Sequence, residues 1–335
     1  MTVNLAIIGA GGMGRAYIKA FKQMPEANVI AVVDVDEKRA REVAKEYGVP
    51  EYYSDWRKVV KKDEIDAVAV CTPVKFHKEI TVGALNSGKH VMCEKPPAMN
   101  AVEAEEMARA AKENNRILMY GFQWRFMEKS RYIRKLVQEG FFGHIYRARI
   151  HYLRQFGIPL GADGWFRTRS LAGGGVLIDC GVHLIDLTYW LTGRPKPILA
   201  FGKQYDYIGR RFTNFDVEDT YIGLVLFENG MSMVVEASWA QNWHNEHGIN
   251  IYGTLAGASI YPQVEIVKKI GDVYTTIKPE IKEAEAGHLK LKHFIEAIGK
   301  GYRDISPTPE DGVVVMKILD ALYRASEEGK VIEIT

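Results

Sequence analysis

The chain has 335 residues, more than the roughly 250–300 at which a single hydrophobic core stops growing, so two domains are expected. With 47% hydrophobic and 26% charged residues it has the composition of a water-soluble globular protein, which excludes a disordered tail and a small disulfide-stapled scaffold. Lys plus Arg number 44 against 42 Asp plus Glu, and the net charge of +2 is too small to mark nucleic acid or an anionic membrane as a partner.

Residues 3–8, Val-Asn-Leu-Ala-Ile-Ile, form a short apolar run ahead of a glycine cluster, 13–23 carries helix-forming residues, and 28–33 is apolar again. The chain therefore opens as strand, helix, strand. The beat continues with a helix over 37–47, a strand over 66–71, a helix over 76–87, a strand over 89–93, a helix over 100–114 and a strand over 116–121. Continuous β-branched runs imply strands buried on both faces, as in a parallel sheet, and right-handed crossovers make such a sheet doubly wound. The charge run from Arg57 to Asp66 reads as a solvated helix face.

From about residue 122 the texture changes. A helix near 127–138 precedes strand-like runs at 144–155, 197–205, 219–227, 231–238, 248–253 and 272–277, several with the period-two alternation of a sheet exposed on one face. Asn229-Gly230 between two of them is a tight-turn signal, because this pair tolerates positive φ. Helices over 286–299 and 309–327 close the chain. Cys71, Cys93 and Cys180 are the three cysteines, with no Cys-x-x-Cys spacing, so neither a disulfide framework nor structural zinc is expected and a reducing cytoplasm fits. The first 14 residues lack the basic start of a secretory signal, and no run of about 20 uncharged apolar residues suggests a membrane span.

Gly9-Ala10-Gly11-Gly12-Met13-Gly14 matches G-x-G-x-x-G between the first strand and the first helix. Gly9 permits the tight turn, Gly11 lets the backbone approach a pyrophosphate, and Gly14 lets the helix sit close to the strand. The helix N-terminus then offers N–H groups and partial positive charge to phosphates. Asp34 ends the second apolar run, 20 positions after Gly14, where a carboxylate accepts hydrogen bonds from ribose hydroxyls and repels a 2′-phosphate. NAD is therefore expected, with NADP possible if Arg39 or Lys38 swings in. Asp36 is the better candidate for capping the following helix. The fold class that follows is α/β: an N-terminal Rossmann doubly wound parallel sheet over residues 1–122, and a C-terminal α+β domain over 123–335 with a large, mostly antiparallel open sheet.

Further along, Asp179 and His183 stand four apart behind three glycines, hence on one face of a helix, with Asp186 three further on. A carboxylate paired with imidazole fixes its tautomer and stabilises the imidazolium, which suits a general base. Gly181 between them removes bulk where a ligand or backbone can approach. Lys95 follows a strand at its carboxyl end, where open α/β sheets bind ligands, and its ammonium can stabilise developing alkoxide charge. Thr72 and Pro73 also follow a strand end, and His77 opens the next helix.

These segments resemble the glucose-fructose oxidoreductase and inositol dehydrogenase family (Gfo/Idh/MocA), over nearly the whole chain. The likeness is carried by Cys-Thr-Pro at 71–73 with His77, by Gly-Lys-His-Val-Met-Cys-Glu-Lys-Pro-Pro ending at 97, by Tyr-Gly-Phe-Gln-Trp-Arg-Phe at 120–126, and by Gly-Gly-Gly-Val-Leu-Ile-Asp-Cys-Gly-Val-His-Leu-Ile-Asp at 173–186. Gln123 and Trp124 depart from the Asn and Arg expected there. The resemblance implies that Lys95, Asp179 and His183 form a catalytic trio that also touches substrate. It implies a cofactor set of Gly9, Gly11, Gly12, Met13, Gly14, Asp34, Arg39, Cys71, Thr72, Pro73, His77, Glu94, Lys95, Pro96, Gln123 and Arg125.

The implied reaction oxidises a secondary alcohol of a sugar, inositol or related polyol, with hydride passing to the nicotinamide and the hydroxyl proton to His183. Transient-oxidation glycoside cleavage and a non-catalytic dinucleotide-binding regulator are the alternatives. Trp165, Arg167, Trp239, Trp243 and His244 are candidate pocket residues, since aromatic faces and donors suit a polyhydroxylated ring. His244-Asn245-Glu246-His247 lacks the His-Glu-x-x-His spacing, so no metal is expected. A one-faced sheet wants a partner, and by analogy a homodimer or homotetramer supplies it.

Overall fold

The structure is a computed structural model that describes residues 2–301 and 305–335. Its contacts divide it into two compact units, Met1–Phe122 with Gly287–Val313, and Gln123–Ala286 with Val314–Thr335.

In chain order the first unit contains β1 (Val3–Ile8), α1 (Gly12–Phe21), β2 (Ala27–Val33), α2 (Glu37–Tyr47), β3 (Glu51–Tyr53), the single turn α3 (Trp56–Val59), β4 (Ala67–Val70), α4 (His77–Asn86), β5 (His90–Cys93), α5 (Ala101–Glu113) and β6 (Leu118–Tyr120). The strands form one parallel sheet in the order β3-β2-β1-β4-β5-β6, which reverses direction between β1 and β4 in the Rossmann manner. Leu5, Ala6 and Ile7 of β1 and every residue of β4 have no solvent exposure, which is why these runs read as continuous apolar segments rather than alternating ones. Asp36 accepts the Arg39 N–H and caps α2, while Gly48 ends that helix in the left-handed region at φ 60°. Asn100 caps α5 by accepting from the Glu103 N–H, and Glu103 reaches back to the Met99 N–H.

The expected helix across Arg57–Asp66 is confined to α3. The rest of the run forms turns, with Val59, Val60 and Ile65 buried and Lys62 paired with Glu51 and Glu64. Strand β3, too short to announce itself by periodicity, is an edge strand.

The second unit contains α6 (Glu128–Gln138), β7 (Ile145–Leu153), α7 (Arg169–Ala172), a π-helical turn (Leu177–Gly181) running into α8 (Val182–Leu191), β8 (Pro197–Tyr205), β9 (Thr220–Phe227), β10 (Ser232–Ser238), β11 (Glu246–Gly253), β12 (Ala256–Ser259), β13 (Glu265–Ile270) and β14 (Val273–Ile277). Helix α9 (Ala286–Lys300) returns to the first unit from Gly287 on, α10 (Pro309–Glu328) enters the second at Val314, and β15 (Ile332–Glu333) ends the chain.

Nine strands form one sheet in the order β14-β13-β12-β11-β7-β10-β9-β8-β15, antiparallel throughout except where β10 runs parallel to β7. The β9–β10 hairpin turns at Gly230, φ 83°. Alternate residues Tyr221, Gly223, Val225 and Phe227 face a buried side against Leu322 and Tyr323 of α10, whereas Ile222 and Leu224 are exposed. The helical run Arg169–Leu191 is long and apolar enough to cross a membrane, yet 78% of its most apolar window is buried inside the protein, as a core helix requires.

A Cβ on Gly14 would lie 1.9 Å from the Gly9 carbonyl oxygen, whereas one on Gly12 meets nothing within 4 Å. Gly14→Ala is therefore expected to cost about 1–3 kcal/mol, seen as a melting temperature lower by roughly 2–4 °C per kcal/mol, with Gly12→Ala melting like the parent. Equal melting of all three proteins would refute this reading of the turn.

Candidate active site

The first cluster lies at the carboxyl ends of β1, β2, β4 and β5. Gly9 has φ 103°, and a Cβ there would sit 2.4 Å from the Cys71 carbonyl oxygen, so Gly9 and Gly14 are demanded by the fold itself. Gly11 and Gly12 are not: around both, the protein leaves open space, and Met13 beside them is exposed. Helix α1 begins without a side-chain cap and without an acidic residue in its first turn, which leaves its N–H groups for an anion.

Asp34 is buried, its Oδ2 accepting the Ala10 N–H at 2.9 Å and its Oδ1 the Asp36 N–H at 3.0 Å. It ties the glycine turn to the end of β2. The half-exposed Arg39 guanidinium stands 3.4 Å from both Asp34 oxygens. The Thr72 Oγ1 is buried without a hydrogen-bond partner in the protein, and Pro73 opens a short 3-10 turn. His77 is 1% exposed with its ring nitrogens 2.9 Å from the carbonyl oxygens of Pro96 and Thr72, so it links those two turns; burial lowers its pKa against the pull of both carbonyls.

Glu94 is buried, and its Oε2 accepts the Lys95 N–H at 3.1 Å. Its Oε1 takes the Tyr17 hydroxyl and, at 2.9 Å, the Nζ of Lys290 on α9. The space beside glycines 11 and 12 and the unpartnered Thr72 hydroxyl fit a bound dinucleotide, whose phosphates and ribose would supply what the protein omits.

The second cluster, in the other unit, surrounds the glycine-rich helix. The i, i+4 spacing predicts a regular helix carrying Asp179, His183 and Asp186 on one face. The structure differs: Leu177–Gly181 is a π turn, a form frequent at functional sites. Asp179 lies within that turn, its Oδ2 accepting from the Trp239 indole Nε1 at 3.2 Å and approached by the Cys180 Sγ at 3.3 Å. Trp239 is thus core, packed on Phe215, and also holds the carboxylate.

His183 stacks on Trp124 with ring centroids 5.7 Å apart and planes 12° from parallel, and Trp124 also stacks on Tyr261 at 5.3 Å. Trp124, flagged in the sequence only as a departure from the family pattern, is therefore the ring that seats the imidazole. Asp186 is engaged by an arginine. It is fully buried in a two-point ion pair with Arg125, whose Nε and Nη2 donate to its Oδ2 and Oδ1 at 2.9 and 2.5 Å.

The glycines before the π turn have a local cause. A Cβ on Gly174 would collide with the Tyr323 hydroxyl and one on Gly175 with the Glu218 carbonyl. Glu218, buried, accepts the N–H groups of Gly175 and Leu177 at 2.8 and 3.0 Å and the Tyr323 hydroxyl at 2.8 Å. Burial raises its pKa, and those same donors oppose the rise. A Cβ on Gly181 would touch Leu177 and approach Ala237 of β10, so this glycine serves backbone packing.

The remaining expected residues lie elsewhere in this unit. Gln123 and Arg125 occupy a 3-10 turn before α6. Trp165 stacks on Phe166, and Arg167 donates to the carbonyls of Gly164 and Thr213. Trp243 and His244 are exposed in the loop between β10 and β11, where the Trp243 Nε1 donates to Glu246. Among the described residues no three His, Cys, Asp or Glu side chains gather as a metal site.

The profile of the GFO_IDH_MocA oxidoreductase family, NAD-binding Rossmann fold, matches residues 3–122, and the GFO/IDH/MocA C-terminal domain matches residues 130–259. The chain is 30% identical to D-glucoside 3-dehydrogenase of Escherichia coli strain K12, an alignment covering 99% of this chain and 97% of that one. It is 25% identical to inositol 2-dehydrogenase of Rhizobium meliloti strain 1021, with 100% of both covered. Levoglucosan dehydrogenase in complex with NADH superposes at a TM-score of 0.89 with 25% identity, covering 100% of each chain.

The open space at Gly11 generates a test. Gly11→Ala is expected to melt like the parent while binding NADH at least about tenfold more weakly, a loss of about 1.4 kcal/mol, and both proteins should bind NADH more tightly than NADPH because of Asp34. Calorimetric titration of each dinucleotide reads both effects; undiminished NADH affinity in the variant, or preference for NADPH in the parent, counts against this cradle.

Proposed function

The chain belongs to the Gfo/Idh/MocA family of NAD-binding oxidoreductases, and from that membership we propose that it oxidises a secondary hydroxyl of a sugar, inositol or closely related polyol. D-glucoside 3-dehydrogenase, inositol 2-dehydrogenase and levoglucosan dehydrogenase, named for such compounds, support this substrate class. The observation that carries the reading is the π turn, which sets Asp179 on the Trp239 indole while His183 is stacked on Trp124.

In this proposal NAD, when bound, supplies the acceptor for the hydride leaving the substrate carbon. Gly11 and Gly12 leave room for its pyrophosphate, Asp34 accepts from its ribose, and the Thr72 hydroxyl finds there the partner it lacks in the protein. Lys95 places its ammonium on the substrate oxygen and stabilises charge developing on it. A ring nitrogen of His183 takes the hydroxyl proton, the Asp179 carboxylate orients that ring and balances the imidazolium, and Trp124 holds it at a fixed angle.

The nucleotide role is assigned to residues 1–122, and the substrate-binding and oligomerisation roles to 123–335. The second role rests on the open sheet face, where Phe201 lies opposite Leu224 beside Ile222, all exposed, with Ile198 nearby. An apolar stripe of this kind favours a second copy of the chain. Three free thiols, two of them buried, accord with a reducing cytoplasm.

A screen of glucosides, inositols, aldoses and sugar acids is expected to give net NADH accumulation, followed by its near-ultraviolet absorbance, with at least one of them. His183→Asn and Lys95→Met should each lower turnover on that compound by about 10²- to 10⁴-fold while NADH affinity changes little. Parent-like turnover in either variant removes that residue from the mechanism. The assembly is checked separately by light scattering after gel filtration: the parent is expected as a dimer or tetramer and Leu224→Lys as a smaller species, and a monomeric parent would rule the interface out.

A further inference from the structure

Lys290 is 1% exposed, and a lysine is almost never fully buried unless its charge is engaged. Its ammonium meets the Glu94 Oε1 at 2.9 Å and the Tyr17 hydroxyl oxygen at 2.6 Å, and lies 4.7 Å from the centroid of the Tyr17 ring. The Tyr17 hydroxyl itself donates to the same carboxylate oxygen. The other oxygen, Oε2, accepts the backbone N–H of Lys95. On its remaining side the carboxylate is walled by Gly121, where a Cβ would stand 2.7 Å from Oε2. Both carboxylate oxygens are therefore engaged, Oε1 by Tyr17 and Lys290 and Oε2 by the backbone N–H of Lys95.

We propose that Lys290 is a positioning residue for Lys95: by engaging one oxygen of Glu94 it fixes the backbone from which Lys95 projects and withholds that carboxylate's charge from the Lys95 ammonium. The inference rests on the reading of Lys95 as the group that holds the substrate oxygen. The groups facing Glu94 are Tyr17 on α1, Cys71 after β4, His77 on α4, Cys93 on β5, Lys95 itself and Lys290 on α9.

Burial keeps the Tyr17 hydroxyl and the two thiols protonated and lowers the His77 imidazole toward neutrality, so the charges beside the carboxylate are the two lysines. Burial would also raise the Glu94 carboxyl, yet Lys290 and the Tyr17 hydroxyl bring it down to about 2. Glu94 is thus ionised under the influence of both lysines, and the buried one engages it directly at 2.9 Å with the Tyr17 hydroxyl beside it. A carboxylate wholly available to Lys95 would hold that ammonium in a salt bridge, away from substrate, and stabilise its charged form.

The test reads Lys95 directly, without a substrate. Trace acetic anhydride labels unprotonated amines, so acetylation of the Lys95 peptide against pH, followed by mass spectrometry, gives the midpoint at which Lys95 loses its proton. Lys290→Met is expected to move that midpoint up by about one pH unit, because Lys95 is then, among the described residues, the one cation facing Glu94, and Glu94→Gln to move it down. The double variant Glu94→Gln/Lys290→Met, which strands no charge, should restore the midpoint. In both variants lacking Lys290, amide exchange of residues 93–97 should quicken at least about tenfold relative to the rest of the sheet.

Should a single variant fail to fold, the other single variant and exchange in the double decide the matter. Midpoints and exchange unchanged in every folded variant would reduce Lys290 to a core ion pair and overturn the proposal. Lys95→Met with parent-like turnover would instead sink the reading of Lys95 and leave the labelling result standing.

Discussion

A carboxylate taken out of water must replace its lost hydration with fixed donors, and in this chain the donors are largely the backbone N–H groups of turns. Asp34 accepts from Ala10 and Asp36, Glu94 from Lys95, Glu218 from Gly175 and Leu177, and Asp219 from Ile208 and Gly209. Each buried acid converts a flexible connection into a defined one. Three of these turns carry the proposed chemistry: the glycine cradle, the residue pair at the end of β5, and the entry to the π turn. The fold's regular elements supply the frame, and these acids set the loops on it.

The same constraint explains the glycines better than composition does. Gly9, Gly14, Gly174 and Gly175 lie where another backbone or a buried hydroxyl has already taken the Cβ position, whereas Gly11 and Gly12 face open space. Four are demanded by packing and two are left for a ligand. A sequence motif presents all six as equivalent letters, and only the neighbours distinguish them.

Much of the architecture was legible because it depends on local periodicity. The buried parallel strands announce themselves as apolar runs, the hairpin at Gly230 by its Asn-Gly pair, and the cap of α2 by Asp36. The Gly-Ala-rich β12, the edge strand β3, the Lys-bearing β13 and the terminal β15 carried too few patterned residues to be read. In the second cluster, Asp179 and His183 were visible through their spacing, but the π turn around Asp179 and the pairing of Asp186 with Arg125 were not. Trp124, Tyr261, Glu218, Tyr323 and Lys290 act through partners distant in the chain, and no periodic signal records such pairings. Buried polar contacts between distant segments are invisible to pattern and decisive for geometry.

The chain's return carries a consequence for how this architecture can be divided. The unit that holds the parallel sheet is discontinuous, built from Met1–Phe122 and Gly287–Val313, and the second piece brings the ammonium that neutralises an acid in the first. A fragment cut at residue 122 inherits the acid without its counter-charge. The two stretches are therefore one physical block despite the 164 residues, Gln123 to Ala286, inserted between them.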